Sequence, residues 1–454
     1  MLKFAPLVTM QTGQQAVGGQ AGGSGFQVQS YRVDHNPPER FCTNGARRTM
    51  TSATTASSAD SAVMKTYGRA DLAFVRGEGS WLVTEDGTRY LDCASGIAVN
   101  TLGHSHPALV AALKAQADQL WHTSNLYRIP GQERVAKKLA ALTGLDQVYF
   151  CNSGAEANEA AVKIARRAAF EKGEPERTTI LCATGSFHGR TLGMLAATDK
   201  QSNRTGFGPM PEGFAHVTFG NLNALRAAMG PHVAAIMIEP VQGEGGARDT
   251  HEDYLHGVRS AADEFGSLVI ADEVQSGIGR TGTLFAYETS GIRPDIIAVA
   301  KGLGGGFPVG AVIASEEVGN AMTPGTHGST FAGNPLAMAV AEAVLEELSK
   351  PGFLEDVRRR AALLCDALET IATRHPDRIS EVRGRGFLRG VRIAEGFDAG
   401  AIVAAMRDAR LLTAPAGENT VRFLPPLIIS EDEIKRAADI FETTLVAAQS
   451  AMDT

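Results

Sequence analysis

The stretch Tyr149-Phe150-Cys151-Asn152-Ser153-Gly154-Ala155-Glu156 is where the chain first declares its fold. It closes a short apolar run, Val148 to Cys151, and opens a helical segment that extends to about Phe170. Ser153 and Glu156 have capping-box spacing, so hydroxyl and carboxylate can each take an N–H left unpaired at the helix start. Gly154 puts no Cβ in the way of a ligand, and the first N–H groups of a helix face outward at the positive end of its dipole. Strand, turn and helix therefore make an anion site suited to phosphate. The same residues also satisfy an ordinary well-capped helix, so the stretch needs company before it means chemistry.

Further apolar runs follow at Thr179 to Ala183, Val233 to Ile238, Ser267 to Ala271, Ile296 to Ala300 and Val309 to Ala314. Continuous apolarity over so few residues suits strands buried on both faces, which predicts a largely parallel α/β sheet covered by helices. The segment from Glu252 to Phe265 reads as one covering helix, with its inward stripe at Leu255, Val258, Ala262 and Phe265. Upstream, Ala73 to Cys93 reads as short strands broken by Gly77-Glu78-Gly79 and the Asp86-Gly87 turn. A helix then begins at Pro107, with Leu109, Leu113, Ala117 and Leu120 on its inward face. After about 336 helices dominate, with strand-like pieces at Gly386 to Ile393 and Val421 to Leu424. The expected division is a disordered extension over 1–64, a large domain over 119–335, and a smaller α+β domain assembled from 65–118 and 336–454. The extension reads either as a start-site extension ahead of Met50 or Met64, or as a targeting peptide.

At 454 residues the chain exceeds what one core usually supports, so a cleft between domains is expected. Lys and Arg number 43 against 50 Asp and Glu, a net of −7, which argues against nucleic acid or an anionic membrane as partner. An anionic ligand must then be held locally. No run approaches the length of a membrane span. Five cysteines, Cys42, Cys93, Cys151, Cys182 and Cys365, contain no C-x-x-C pair and form neither a disulfide framework nor a zinc motif, which fits a reducing, cytoplasmic setting.

Three of the buried runs end alike: Ile236-Met237-Ile238 in Glu239, Val269-Ile270-Ala271 in Asp272, and Ala298-Val299-Ala300 in Lys301. Parallel strands share one carboxyl edge, where open α/β sheets bind ligands, so two carboxylates and an amine converge there. Any one of them is simply the first polar residue after a strand. Together they are harder to dismiss, because an amine among apolar neighbours loses its proton more readily and becomes a better nucleophile toward a carbonyl. Pyridoxal 5′-phosphate needs a phosphate anchor, a carboxylate beside its ring nitrogen and an amine for its aldehyde. The helix start at Ser153-Gly154-Ala155, Asp272 and Lys301 supply these in turn.

Longer motifs carry a family resemblance. The runs from Phe150 to Glu159, Ser186 to Thr191, Ile238 to Gly246, Asp272 to Gln275, Ala300 to Gly302, His327 to Phe331 and Arg422 to Pro426 resemble the class III aminotransferases of pyridoxal-phosphate fold type I, over roughly residues 65 to 448. Within that class, Gly96 to His104 and His122 to Tyr127 are most similar to acetylornithine aminotransferases. The resemblance implies a mostly parallel seven-stranded sheet flanked by helices, and a homodimer. It implies that Gly154 and Ala155 bind phosphate through backbone N–H groups with Ser153 nearby, and that Thr330 reaches the phosphate in the neighbouring subunit. Phe187 would stack on the ring, Asp272 would pair with its nitrogen, and Gln275 would meet its hydroxyl, with Glu273 and Val274 also at the cofactor. Lys301 would hold the cofactor and then carry a proton between substrate and cofactor carbons.

Substrate selection is expected from Arg190, Glu244, Ser329 and Arg422. Two guanidinium forks suit a substrate with two carboxylates, such as glutamate. An ω-amino donor has one carboxylate, and Glu244 would neutralise Arg422 while that donor is bound, leaving Arg190 to hold the distal carboxylate of either substrate. The implied reaction is amino transfer from N2-acetylornithine to 2-oxoglutarate, in arginine biosynthesis. Ornithine, succinylornithine, 4-aminobutyrate or a carrier-linked amine are the alternative donors. Gly277-Ile278-Gly279-Arg280-Thr281-Gly282 with Asp295 gives a rival reading, an NAD-dependent oxidoreductase, although Asp272 to Ser276 intervene between strand and first glycine. His104 and His106 lack further ligands nearby in sequence, and no metal is expected.

Overall fold

Seven strands line up in the order β1-β7-β6-β5-β4-β2-β3, where β1 is Gln147–Cys151, β2 Thr179–Ala183, β3 Phe214–Val217, β4 Val233–Ile238, β5 Leu268–Asp272, β6 Ile296–Val299 and β7 Gly310–Ala314. These belong to a computed structural model that describes residues 62–448, in which the chain from Arg69 onward gathers as one unit. The extension expected over 1–64 lies outside the described residues up to 61. Neighbouring strands run parallel except at β7, which is antiparallel to both β1 and β6. The sheet is thus mostly parallel with one strand reversed.

Every residue of β4, β6 and β7 is buried, because both faces are covered. Alternate side chains go to opposite faces, and the core divides accordingly. Ile270, Ala298 and Val312 meet Ala161 and Ala165 of helix α1, Gly154–Glu171. Val269, Ala271, Ile297, Val299 and Ile313 share the other core with Leu255 and Val258 of helix α2, Glu252–Phe265. The stripe expected for α2 is buried at Leu255, Val258 and Ala262, while Phe265 at the helix end is half-buried. Gly266 in the left-handed conformation stops that helix. The edge strand β3 was not expected from the sequence, since three of its four residues are only half-buried and its apolar run is short.

Two smaller sheets flank this layer. Short strands appear where expected, at Phe74–Glu78, Trp81–Thr84 and Arg89–Asp92, although the first runs through Gly77 and Glu78, where a break was expected; the three pair antiparallel and Leu411–Leu412 joins them. The other sheet is antiparallel, Ile379–Arg385, Leu388–Ile393, Thr420–Phe423 and Ala414–Ala416. Its first strand is charged at Glu381, Arg383 and Arg385, which hid it from a reading based on apolar runs. The helix at Pro107 ends at Ala117, so Leu120 leaves the expected stripe and is exposed.

Between the first small sheet and that helix lies a left-handed turn, with φ +49° at Ser95, +64° at Gly96, +64° at Ile97 and +63° at Ala98. Left-handed backbone costs roughly 1–2 kcal/mol for each non-glycine residue, so it must be held. Asp92 does this by accepting from the N–H groups of Ala94 (2.9 Å) and Ser95 (2.8 Å), while its other oxygen bonds His104 Nε2 at 2.8 Å. His104 thus has a carboxylate partner that its sequence neighbours did not reveal. No helix among the described residues is long and apolar enough to cross a membrane.

Candidate active site

Three adjacent strands, β4, β5 and β6, deliver Glu239, Asp272 and Lys301 to one edge. Register pairs Asp272 with Ala298, so Lys301 leaves the sheet just beyond it. Its backbone φ is +40°, a conformation costing on the order of 1–3 kcal/mol that persists only where the surroundings impose it. Desolvation pushes the Lys301 amine down to about 8, with Arg422 acting in the same direction and Glu244, Asp272 and Glu239 opposing. A usable fraction is therefore neutral near pH 7.

Asp272 is buried, and three donors fix its carboxylate. Oδ2 accepts from His188 Nδ1 (2.7 Å) and Asn158 Nδ2 (2.7 Å), and Oδ1 accepts from the Val274 N–H (3.0 Å). Burial opposes charging His188, but the adjoining carboxylate outweighs it and raises the imidazole well above its ordinary range. Neither His188 nor Asn158 was assigned a role from sequence. Asn158 carried a signal, as a polar residue among Ala157, Ala160 and Ala161 on the buried face of α1. Glu239 is pushed up to about 8 by burial, and its Oε2 accepts the Phe187 N–H at 3.0 Å. It holds the turn that carries Phe187.

At the start of α1, Ser153 Oγ accepts the Glu156 N–H (3.2 Å), and Glu156 Oε2 accepts the Asn152 N–H (2.9 Å) and the Ser153 hydroxyl (3.0 Å). Gly154 is required here, since a Cβ would lie 2.5 Å from Val274 Cγ1. Val274 thus backs the helix start, beside Gly154 and Ala155. Glu273 is not brought to this site. Its Oε1 accepts the Tyr287 N–H (2.9 Å) and its Oε2 the Ser276 hydroxyl (2.5 Å), and burial pushes the carboxyl up to about 7. One residue beyond Asp272, it faces the opposite side of the chain.

Arg422 comes from the C-terminal sheet and is buried. Its Nη1 lies 2.7 Å from Glu244 Oε1 and donates to Gln275 Oε1 at 2.6 Å. Burial would raise Glu244, but Arg422 overrides it and the carboxyl is lowered. Gln275, expected at a ring hydroxyl, is thus held against Arg422. Arg190 is exposed, with its guanidinium 5.5 Å from the centre of the Phe187 ring. Phe187, Arg190 and Glu244 line one cavity of ≈ 370 Å³. Ser329 lines a separate cavity of ≈ 240 Å³ and its Oγ accepts from Asn152 Nδ2 at 3.0 Å, so within one chain it does not join Arg190 and Arg422. Thr330 is exposed beside it.

The glycine-rich rival has no room for a dinucleotide. A Cβ on Gly279 would meet Leu348 and Leu427 side chains at 2.6 and 2.7 Å, and Arg280 is buried against backbone carbonyls of Phe387 and Pro425. Asp295 is committed to Arg259 (2.7 Å) and the Val269 N–H (2.7 Å).

Asp272 ends β5 and Lys301 follows the neighbouring β6, so the carboxylate would serve a ring nitrogen and the amine the aldehyde of one bound cofactor. Ring, aldehyde and a phosphate at the α1 start together describe pyridoxal 5′-phosphate, and the Oδ1 of Asp272, with one hydrogen bond, has capacity for the ring N–H. Fold and site define a pyridoxal-phosphate-dependent enzyme. The family model described as aminotransferase class-III matches residues 62–445, and the chain belongs to that family. It is 51% identical to an acetylornithine aminotransferase of Brucella melitensis over 84% of this chain and 94% of that one. Against an acetylornithine aminotransferase of Mesorhizobium japonicum the identity is 53%, over 83% and 94%. Among solved structures, N-acetylornithine aminotransferase from Stenotrophomonas maltophilia matches with TM-score 0.74 and 36% identity over 84% and 97% of the two chains. Ornithine aminotransferase from Toxoplasma gondii matches with TM-score 0.82 and 32% identity over 85% and 92%.

Proposed function

We propose that the chain transfers the ω-amino group of N2-acetylornithine to 2-oxoglutarate, giving N-acetylglutamate 5-semialdehyde and glutamate, a step of arginine biosynthesis. The pairing of Arg422 with Glu244 at 2.7 Å carries this reading. A donor with one distal carboxylate needs one free guanidinium, and Arg190 is exposed to provide it. Glutamate needs two, and Arg422 becomes available when Glu244 swings aside. The acetylornithine aminotransferases among the relatives support the choice of donor.

Pyridoxal phosphate, when bound, supplies an aldehyde for amines and a ring that accepts electrons from the substrate carbon. The α1 start and Thr330 of a second subunit would hold its phosphate, Phe187 would cover its ring, and Asp272, fixed by His188 and Asn158, would face its nitrogen. Lys301 Nζ takes the proton from the carbon bearing the donor's ω-amino group and holds it for return. Arg190 anchors the far carboxylate so that this carbon stays within reach of Nζ.

A homodimer is part of the proposal. Leu126, Tyr127 and Phe331 are 88%, 70% and 62% exposed. They lie in two segments joined by Asn125 Nδ2 to Ala332 O (3.0 Å) and by the His122 and Phe331 rings, 5.3 Å apart. An apolar patch beside Thr330 suits a second copy. The division into a large domain over 119–335 and a smaller one from 65–118 and 336–454 is likewise proposed. So is a cytoplasmic setting, supported by free thiols at Cys93, Cys151, Cys182 and Cys365.

Initial rates with 2-oxoglutarate and a donor panel of acetylornithine, succinylornithine, ornithine and 4-aminobutyrate test the reading. Acetylornithine should have the highest kcat/KM. A higher value for any other member replaces it as the donor.

A further inference from the structure

Beyond the Phe187 ring, the Arg190 guanidinium meets no partner among the described residues. Where this group sits is therefore decided by the backbone that carries it. The turn 187–191 leads into the short helix Leu192–Ala197, and α1 holds both along one face. Ala155, Asn158 and Glu159 are spaced i, i+3 and i+4 on α1, so they project together. Gly189, at φ +145°, packs so closely on Ala155 that a Cβ would come within 2.8 Å of the alanine methyl. Asn158 Nδ2 donates to His188 O at 2.8 Å. Glu159 Oε1 accepts the Thr191 hydroxyl at 2.5 Å, and its two oxygens lie 2.6 and 2.8 Å from where a Cβ on Gly193 would be. Thr191 in turn caps the short helix by accepting the Met194 N–H at 3.4 Å. The other end of the turn is tied through the Phe187 N–H to Glu239.

We propose that Glu159 is a positioning residue for Arg190. Its partner Thr191 is the next residue along the chain, so the hydrogen bond fixes the backbone that directs the guanidinium. Neither Glu159 nor Thr191 lines the cavity shared by Phe187, Arg190 and Glu244, and Glu159 acts on substrate only through the arginine. Because α1 also begins at the phosphate site, it sets the spacing between the cofactor's phosphate and the carboxylate anchor. A misplaced anchor lets the reacting carbon drift from Lys301 Nζ, which is how a residue outside the cavity reaches the rate. The inference rests on the reading of Arg190 as that anchor.

The test is a double-mutant cycle on holoenzymes normalised to bound cofactor: wild type, Glu159→Ala, Glu159→Gln, Arg190→Ala, and Glu159→Ala combined with Arg190→Ala. Each is assayed for kcat/KM with the best donor of the panel above and with 2-oxoglutarate, and for the Kd of glutarate, which carries two carboxylates and cannot react. Glu159→Ala should lower both kcat/KM values and weaken glutarate by roughly 3- to 10-fold, the scale of a hydrogen bond to a charged group discounted for the exposure of Thr191. With Arg190 already replaced, the same substitution should change nothing beyond about twofold, since the group it places is gone. Glu159→Gln keeps an acceptor for the Thr191 hydroxyl and should recover wild-type values to within about twofold. An effect below about twofold in Glu159→Ala, an equal loss with and without Arg190, or a glutamine variant as impaired as the alanine one overturns the positioning role and leaves the anchor standing. An Arg190→Ala variant that binds and turns over both substrates as wild type does overturns both.

Discussion

Lys301 is neutral only to the extent that its surroundings withhold water from it, and this has a measurable sign. With the amine at about 8, the neutral form grows as pH rises and is nearly complete above pH 9. Cofactor loading of the stripped protein, followed by its visible absorbance, should quicken about tenfold from pH 7 to a plateau above pH 9. A rate still climbing beyond pH 10 would mean an ordinary lysine. At the substrate end, Arg190→Ala should cost both half-reactions roughly 10- to 100-fold in kcat/KM, the scale of a charged hydrogen bond. Glu244→Ala frees Arg422 and should improve α-amino donors by about tenfold; an unaltered donor preference would remove the switch from the account. Lys301, Asp272, Arg190, Glu244 and Arg422 were all legible as residues, because strand ends and recurring motifs mark them. Their partners were not. His188 meets Asp272 across 84 positions and Gln275 meets Arg422 across 147, contacts that no local pattern encodes.

At the scale of elements, helix α1 and the turn after β5 form a single fitted joint. A Cβ added at Gly154 would overlap Val274, so Gly154→Ala should lower stability by about 1–3 kcal/mol and weaken cofactor binding as the first turn shifts. Gly154→Ala combined with Val274→Ala should recover much of both, as thermal melts and cofactor titrations would show. A double variant as impaired as the single one would place the glycine's importance in the ligand rather than the joint. The strand and helix periods made these elements readable from sequence. Glu273 was misplaced for the complementary reason, since adjacency in a motif says nothing about which side of the chain a residue faces.

Over the whole molecule, the exposed apolar patch at Leu126, Tyr127 and Phe331 sits beside Thr330, which the proposed shared site would use. Tyr127→Asp should turn a dimer into monomers in sedimentation equilibrium and reduce the visible absorbance of bound cofactor. A monomeric wild type, or a variant that remains dimeric, would contradict this. The arrival of Arg422 is also a whole-molecule property. Its strand pairs with Leu388–Ile393, and the following Leu424 N–H bonds Cys93 O at 2.6 Å, so segments more than 300 positions apart in sequence meet beside it. The reversal of β7 has a mechanical consequence. Because β6 and β7 run in opposite directions, the segment that carries Lys301 leaves the ligand edge and returns to it over the ten residues 300–309, fastened to the sheet at both ends. The lysine is mounted on a short bridge, not on a free arm, so whatever travel catalysis demands must come from rotation about its own four methylene carbons while its α-carbon stays put.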